Sequence, residues 1–279
     1  MNKRDQVREY FEKHSEQEWD RLESTLTGKI KYRIHREMLD RHLPDGGLIL
    51  DAGCGPGRYA IGLIRRGYRV VLADLSSSQL ALARKKIKDA GLWDGVEGIH
   101  EADISDLTIF KDNTFDAVVC YGGALSYLRR DASRALREFA RVVKPGATVF
   151  AGVMSLYGTM KYGAYLDLDN AFATLGEHLE WTPGTPLPEI VHTRRDSTEF
   201  HAPMTLYTAR AFCQILDAAG LEVQETAAAN PLWITQGGLK NLEKNEQAAQ
   251  TYADIEVAAA TRPELADSGA HVIAAARKR

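Results

Sequence analysis

The chain has 279 residues, 44% of them hydrophobic and 26% charged, with a formal net charge of −3. That is enough apolar residue for one sizeable α/β core, and too little charge excess for a disordered chain. The slightly acidic balance argues against a domain built to hold nucleic acid, which usually carries a clear basic excess.

Residues 2–42 read as amphipathic helices: apolar positions recur at Val7, Tyr10, Phe11, Trp19 and Leu22, then at Ile30, Ile34, Met38 and Leu39. Thr27 and Gly28 are expected to break them, and Pro44, Gly46 and Gly47 to end the segment. A strand–helix alternation follows. Leu48–Asp51 is a short apolar strand stopped by glycines, and Arg58–Arg66 a helix with Gly67 placed as its left-handed stop. Arg69–Asp74 reads as a buried strand. Ser76–Ser78 offer N-caps for a helix running to about Ala90, with Gly91 after it. Val96–Ala102 and Phe115–Tyr121 are the third and fourth strands, Asp131–Val143 a helix ended by Pro145 and Gly146, and Ala147–Met154 the fifth strand. This alternation implies a parallel sheet with helices on both faces.

The pattern breaks over 155–204, which holds Tyr157, Tyr162, Tyr165, Trp181, Pro183 and Pro186 and reads as an insertion acting as a lid. A helix at Thr208–Gly220 and a strand at Leu221–Ala228 resume the alternation. Residues 230–268 form a second, partly helical excursion, and His271–Arg277 a last strand. The division expected is a helical cap over 1–44, a core over 45–155 and 205–279, and the lid over 156–204.

Cys54, Cys120 and Cys213 form no CxxC pair and no Cys/His cluster, which suggests neither a disulfide framework nor a zinc site. The basic groups Arg84–Lys88, Arg194–Arg195 and Arg277–Arg279 read as solvated surface. The charged, amphipathic start offers no secretory leader, and no apolar run is long enough to span a bilayer, so a cytoplasmic setting is expected.

The chemistry concentrates at Asp51-Ala52-Gly53-Cys54-Gly55-Pro56-Gly57-Arg58, which joins a strand to a helix. Gly53 and Gly55 allow a sharp turn and a close approach of backbone to ligand. A dinucleotide pyrophosphate would be served by the same turn. The dinucleotide fingerprint is G-x-G-x-x-G, however, and its third glycine position is held here by Arg58. Asp51 stands where a carboxylate would repel a pyrophosphate but suit an ammonium group. Asp74 closes the second strand, where an acid can hold both ribose hydroxyls.

With these residues the sequence resembles the class I S-adenosylmethionine-dependent methyltransferases. Leu48–Gly57 is similar to the family's first motif and Asp74 to its second. Glu101–Ile104 resembles the third, Phe115–Gly122 the fourth, and Arg141–Ala147 the segment before strand five. The resemblance implies a Rossmann-like, seven-stranded, mostly parallel sheet with an antiparallel last strand. It implies S-adenosyl-L-methionine as methyl donor, S-adenosyl-L-homocysteine as product, and no metal. Asp51, Ala52, Gly53, Cys54 and Gly55 would hold the methionine moiety. Asp74 would hold the ribose, with Leu75 on the adenine. Asp103 would meet the adenine amino group between Ala102 and Ile104, and Tyr121 and Gly122 would lie nearest the sulfonium.

Aromatic residues can stabilise that cation before reaction, and Tyr10, Phe11, Trp19, Tyr121 and Tyr127 are the candidates. If the acceptor starts protonated, a base is needed. Among His178, His192 and His201, His201 is favoured because it lies just before the Thr208 helix. The expected catalytic residues are therefore His201 and Tyr121. The fourth strand ends in Cys120-Tyr121-Gly122-Gly123, unlike the Asn/Asp-Pro-Pro-aromatic motif of enzymes that methylate exocyclic amines of nucleic acids. Cys120 also lacks the preceding proline of the cytosine C5 enzymes, and no carboxylate stands at Tyr121 for a metal-dependent catechol-type mechanism. These departures point to a small-molecule acceptor. The alternatives are methylation of a protein or RNA, a non-catalytic S-adenosylmethionine-binding protein, and a nicotinamide dehydrogenase.

Overall fold

A computed structural model describes residues 3–20, 22–166, 204–232, 234 and 236–279. Helices α1 (Lys3–Lys13), α2 (Ser15–Asp20) and α3 (Leu26–His42) precede the sheet. Thr25, not the Thr27-Gly28 pair, marks the break. Its hydroxyl accepts from the Gly28 amide as the N-cap of α3, so Thr27 and Gly28 fall in that helix's first turn.

The strands are β1 (Leu48–Ala52), β2 (Arg69–Asp74), β3 (Val96–Glu101), β4 (Phe115–Cys120), β5 (Val143–Met154), β6 (Leu221–Ala229) and β7 (His271–Lys278). Their order is β3-β2-β1-β4-β5-β7-β6. β1 to β5 pair in parallel, and β7 runs antiparallel to both β5 and β6. This is the mostly parallel seven-stranded sheet with an antiparallel last strand. Pro145 and Gly146, expected to stop a helix, lie within β5, because the helix before it already ends at Val142.

Successive residues of each inner strand enter different cores, as a sheet covered on both faces requires. Ile49, Val119, Phe150 and Ile273 pack under α3, α4 (Arg58–Ile64) and α5 (Ser77–Asp89), with Ile34, Met38, Leu63 and Ile87. Leu50, Val118, Val149 and Val272 pack on the other face under α6 (Ala124–Tyr127), α7 (Ala132–Val142) and the helix Ala209–Ala218. Helix α3 is thus part of the sheet's own cover. A third, smaller cluster joins Tyr127, Leu156, Met204 and Leu206 to Val7, Tyr10 and Phe11 of α1. The site lies where α1 and α2 cross the carboxyl ends of β1 to β4.

Candidate cofactor and acceptor site

The β1–α4 turn is built on left-handed glycines. Gly53 has φ +69°, and a Cβ there would sit 2.7 Å from the Ala124 Cβ, so the turn and α6 approach closely only because the residue is glycine. Gly55 differs: a Cβ would meet nothing closer than Gln79 at 3.9 Å, leaving its face open to a ligand. Asp74, half-buried at the end of β2, stitches this turn to its own strand. One carboxylate oxygen accepts from the Gly55 amide at 2.8 Å and the other from the Ser76 amide at 2.9 Å. Burial pushes its carboxyl up to about 6, against the amide bonds to Ser76 and Gly55, which pull the other way.

A cavity of about 550 Å³ opens beside this turn. Gly53, Cys54 and Gly55 of the turn line it, with Asp74 and Leu75 from the end of β2. Ala102, Asp103 and Ile104 line it at the end of β3, and Tyr121 and Gly122 at the end of β4. Ten of the residues expected from the sequence are therefore brought together. Asp103 accepts from the Ser105 amide at 2.8 Å and hydroxyl at 2.6 Å, and its second oxygen lies 2.6 Å from the Arg4 guanidinium.

Four expected residues lie off the wall. Asp51 is 1% exposed and sits behind the turn, where its carboxylate accepts from the Ala60 amide. Burial pushes it up to about 7, and its Oδ2 has no hydrogen-bond partner. Ala52 is fully buried in the sheet. Tyr10 turns away from the cavity and stacks on His14, ring centroids 4.4 Å apart, so that its neighbour Phe11 lines the wall instead. Trp19 lies beneath the Arg58 guanidinium, 3.6 Å from its ring centre. His178, His192 and His201 fall outside the described residues.

Tyr121 is 3% exposed and packs between His35 and Tyr59, ring centroids 4.4 and 5.2 Å away. Burial, aided by Tyr59 and Glu225, raises its phenol well above the ordinary value, so it stays neutral. Arg4, Val7, Glu18, Leu22, Arg58 and the segment Leu128–Asp131 also line the cavity, although the sequence did not mark them as site residues. The helical spacing of Arg4, Val7 and Phe11 was the available signal for α1.

Helix α1 is held in place by polar contacts with the same strand ends. Arg4 also donates to the Ser105 hydroxyl at 3.0 Å, and Arg8 lies 3.4 Å from Glu101. The Glu12 carboxylate accepts from the Ser76 hydroxyl at 3.0 Å and the Ser77 hydroxyl at 3.3 Å, beside the α5 N-terminus. Among the described residues no group of three or more His, Cys, Asp or Glu could hold a metal ion, and no helix is long and apolar enough to cross a membrane.

Residues 49–146 match a family model described as a methyltransferase domain. An S-adenosyl-L-methionine-dependent Diels-Alderase of Neonectria sp. (strain DH2) is 32% identical over 123 residues, covering 44% of this chain and 45% of that protein. A tRNA 5-carboxymethoxyuridine methyltransferase of Escherichia coli (strain K12) is 28% identical over 204 residues, 71% of this chain and 73% of its own length. The match thus spans about half the length of several curated relatives, 45% and 52% in two of them. A SAM-dependent methyltransferase from Methanosarcina mazei superposes with a TM-score of 0.59 at 18% identity, covering 86% of this chain and 96% of that one, a likeness of fold.

Proposed function

We propose that this chain, which carries a class I S-adenosylmethionine-dependent methyltransferase domain over residues 49–146, binds S-adenosylmethionine in the cavity at the strand ends and transfers its methyl group to a small-molecule acceptor. The observation that carries the reading is the row of groups along one wall: the open turn at Gly53–Gly55, Asp74 at the end of β2 and Asp103 at the end of β3. Ligands of open α/β sheets bind outside such carboxyl ends. The residues present fit this cofactor: Gly55 leaves a cradle that a side chain would fill, and Asp51 keeps a buried oxygen without a partner.

When bound, the cofactor supplies an electrophilic methyl group on a sulfonium for in-line displacement. The chain's own residues bind, orient and exclude water. Asp74 holds the ribose hydroxyls, and Asp103 the adenine amino group between Leu75 and Ile104. Asp51, buried behind the turn and off the cavity wall, answers the ammonium by its charge across the turn rather than by contact. Val7, Phe11 and Leu22 roof the cavity and keep it dry, which strengthens each polar contact inside. Tyr121 is a neutral aromatic wall at the methyl end. His201, in the 156–204 insertion, is the base where the acceptor needs one.

The small-molecule assignment is supported by the net charge of −3, which lacks the basic excess of a domain that holds nucleic acid. Methyl-labelled cofactor incubated with a cell extract tests it. Label in the small-molecule fraction is the expected result, and label released only by nuclease or protease would refute it. A second reading follows from the relative named as a Diels-Alderase: the cofactor is held while the acceptor is converted without methyl transfer. Acceptor turnover that leaves the cofactor unconsumed would favour it.

A further inference from the structure

Arg58 takes the third glycine position of a dinucleotide fingerprint, and the function proposed above gives it no part. It begins α4 at the turn end of the cavity, which it lines while being only 7% exposed. The other arginines on that wall, Arg4, Arg129 and Arg130, are not buried. A guanidinium taken out of water needs compensation on all its faces. Arg58 has it on two: Nη2 donates to the Trp19 carbonyl at 2.7 Å, and the plane lies 3.6 Å over the Trp19 ring. Its ion pair is with Glu23, a side chain 61% exposed, and a solvent-screened pair of that kind holds weakly. The buried Nε has no partner.

We infer that Arg58 reads the carboxylate of the cofactor's amino-acid end, and that Glu23 stands in for that carboxylate when the site is free. The inference rests on the S-adenosylmethionine reading. Two buried groups of opposite sign then meet the two charges of one zwitterion. Asp51, whose carboxylate takes the amide of Ala60 two residues beyond Arg58, answers the ammonium, and Arg58 answers the carboxylate. A guanidinium fork suits a carboxylate better than a point charge does, because it offers paired N–H donors in one plane. Trp19 keeps the fork in place from below, which gives that ring a role away from the cavity wall.

Calorimetry on the full chain with S-adenosylhomocysteine and 5′-methylthioadenosine tests the assignment, because the second ligand shares the nucleoside and lacks the amino-acid end. Arg58→Met should weaken S-adenosylhomocysteine by about tenfold to a hundredfold, the scale of a lost charge-assisted contact. It should leave methylthioadenosine within about twofold on the same scale. Arg58→Lys keeps the charge over Trp19 and loses the fork, so it should fall between. Glu23→Gln removes an exposed competitor, and should tighten S-adenosylhomocysteine alone by a few-fold. This variant carries the test if Arg58→Met does not fold. Parallel loss of both ligands in the Arg58 variants would make Arg58 a support for the cap and overturn the inference. A ratio of the two affinities unmoved in every variant would also overturn it. Failure of the unaltered chain to bind either ligand would instead sink the cofactor reading itself.

Discussion

Asp74→Ala separates what this acid does for the fold from what it does for the cofactor. The substitution deletes two acceptors, those of the Gly55 amide at 2.8 Å and the Ser76 amide at 2.9 Å. Bonds from backbone amides to a charged acceptor contribute about 1.5–3 kcal/mol each, hence about 3–6 kcal/mol for the pair. Against that stands the cost of holding the charge in a buried place. A carboxyl pushed from 3.8 to about 6 is disfavoured in its ionised form by about 3 kcal/mol. That value already includes the two amide bonds, so the charged Asp74 adds no net stability at pH 8 and its removal should shift melting little. The ribose contact has no such offset, because its hydroxyls meet the carboxylate only in the complex. Its loss should weaken S-adenosylhomocysteine by about 1.5–3 kcal/mol, or roughly tenfold to 150-fold. Thermal melting measures the first quantity and calorimetry at pH 8 the second. Asp74→Asn, which keeps the shape and one acceptor oxygen, should lie between the alanine variant and the unaltered chain. A folded alanine variant with unchanged affinity would refute the ribose assignment.

Burial holds Asp51 up to about 7 and Asp74 up to about 6, and both must be ionised to meet an ammonium or to accept from ribose hydroxyls. Affinity for S-adenosylhomocysteine should accordingly rise from pH 5 to about pH 8 and then level, and a flat calorimetric profile would contradict the assignment. The free protein should behave in the opposite sense. Both folded-state values lie above the unfolded ones, so these two acids contribute stability below about pH 4 that is lost as the pH climbs through about 6 to 7. The thermal shift produced by the ligand should therefore grow with pH. Gly53→Ala meets a φ of +69° and the Ala124 Cβ at 2.7 Å, and should cost about 1–3 kcal/mol in denaturant melts. Gly55 has a left-handed φ of +51° and open space around its Cβ, so Gly55→Asn, a residue that tolerates that backbone, should lose more in ligand affinity than in stability, and the reverse pattern would move the ligand off this turn. Glu12→Ala cuts α1 from the serines at the α5 N-terminus and should raise the ligand's dissociation rate several-fold in stopped-flow traces while changing association little; an unchanged dissociation rate would mean α1 does not gate the site.

The part of this protein written in local sequence is the strand–turn–helix frame with its acids. The strand-and-helix periods placed β1 to β4, and the glycine turn, Asp74 and Asp103 followed, because each sits at a strand end whose position is set by its own few residues. The seven-stranded, mostly parallel sheet with its antiparallel last strand came from the resemblance, and the strand order from the structure. What the tertiary structure alone decided is which way the outer elements face. An amphipathic pattern gives α1 an apolar side but not its rotation over the cavity, and packing on Tyr127, Leu156 and Leu206 puts Phe11 on the wall and Tyr10 off it. The same holds for α3, which looks like cap in the sequence and lies on the sheet because Ile34 and Met38 meet strand residues far along the chain. It holds for Trp19 and Arg58 too, 39 positions apart, whose stacking no local rule contains. Helix phase and long-range pairs are settled by the partner surface, and that surface exists only once the sheet has formed.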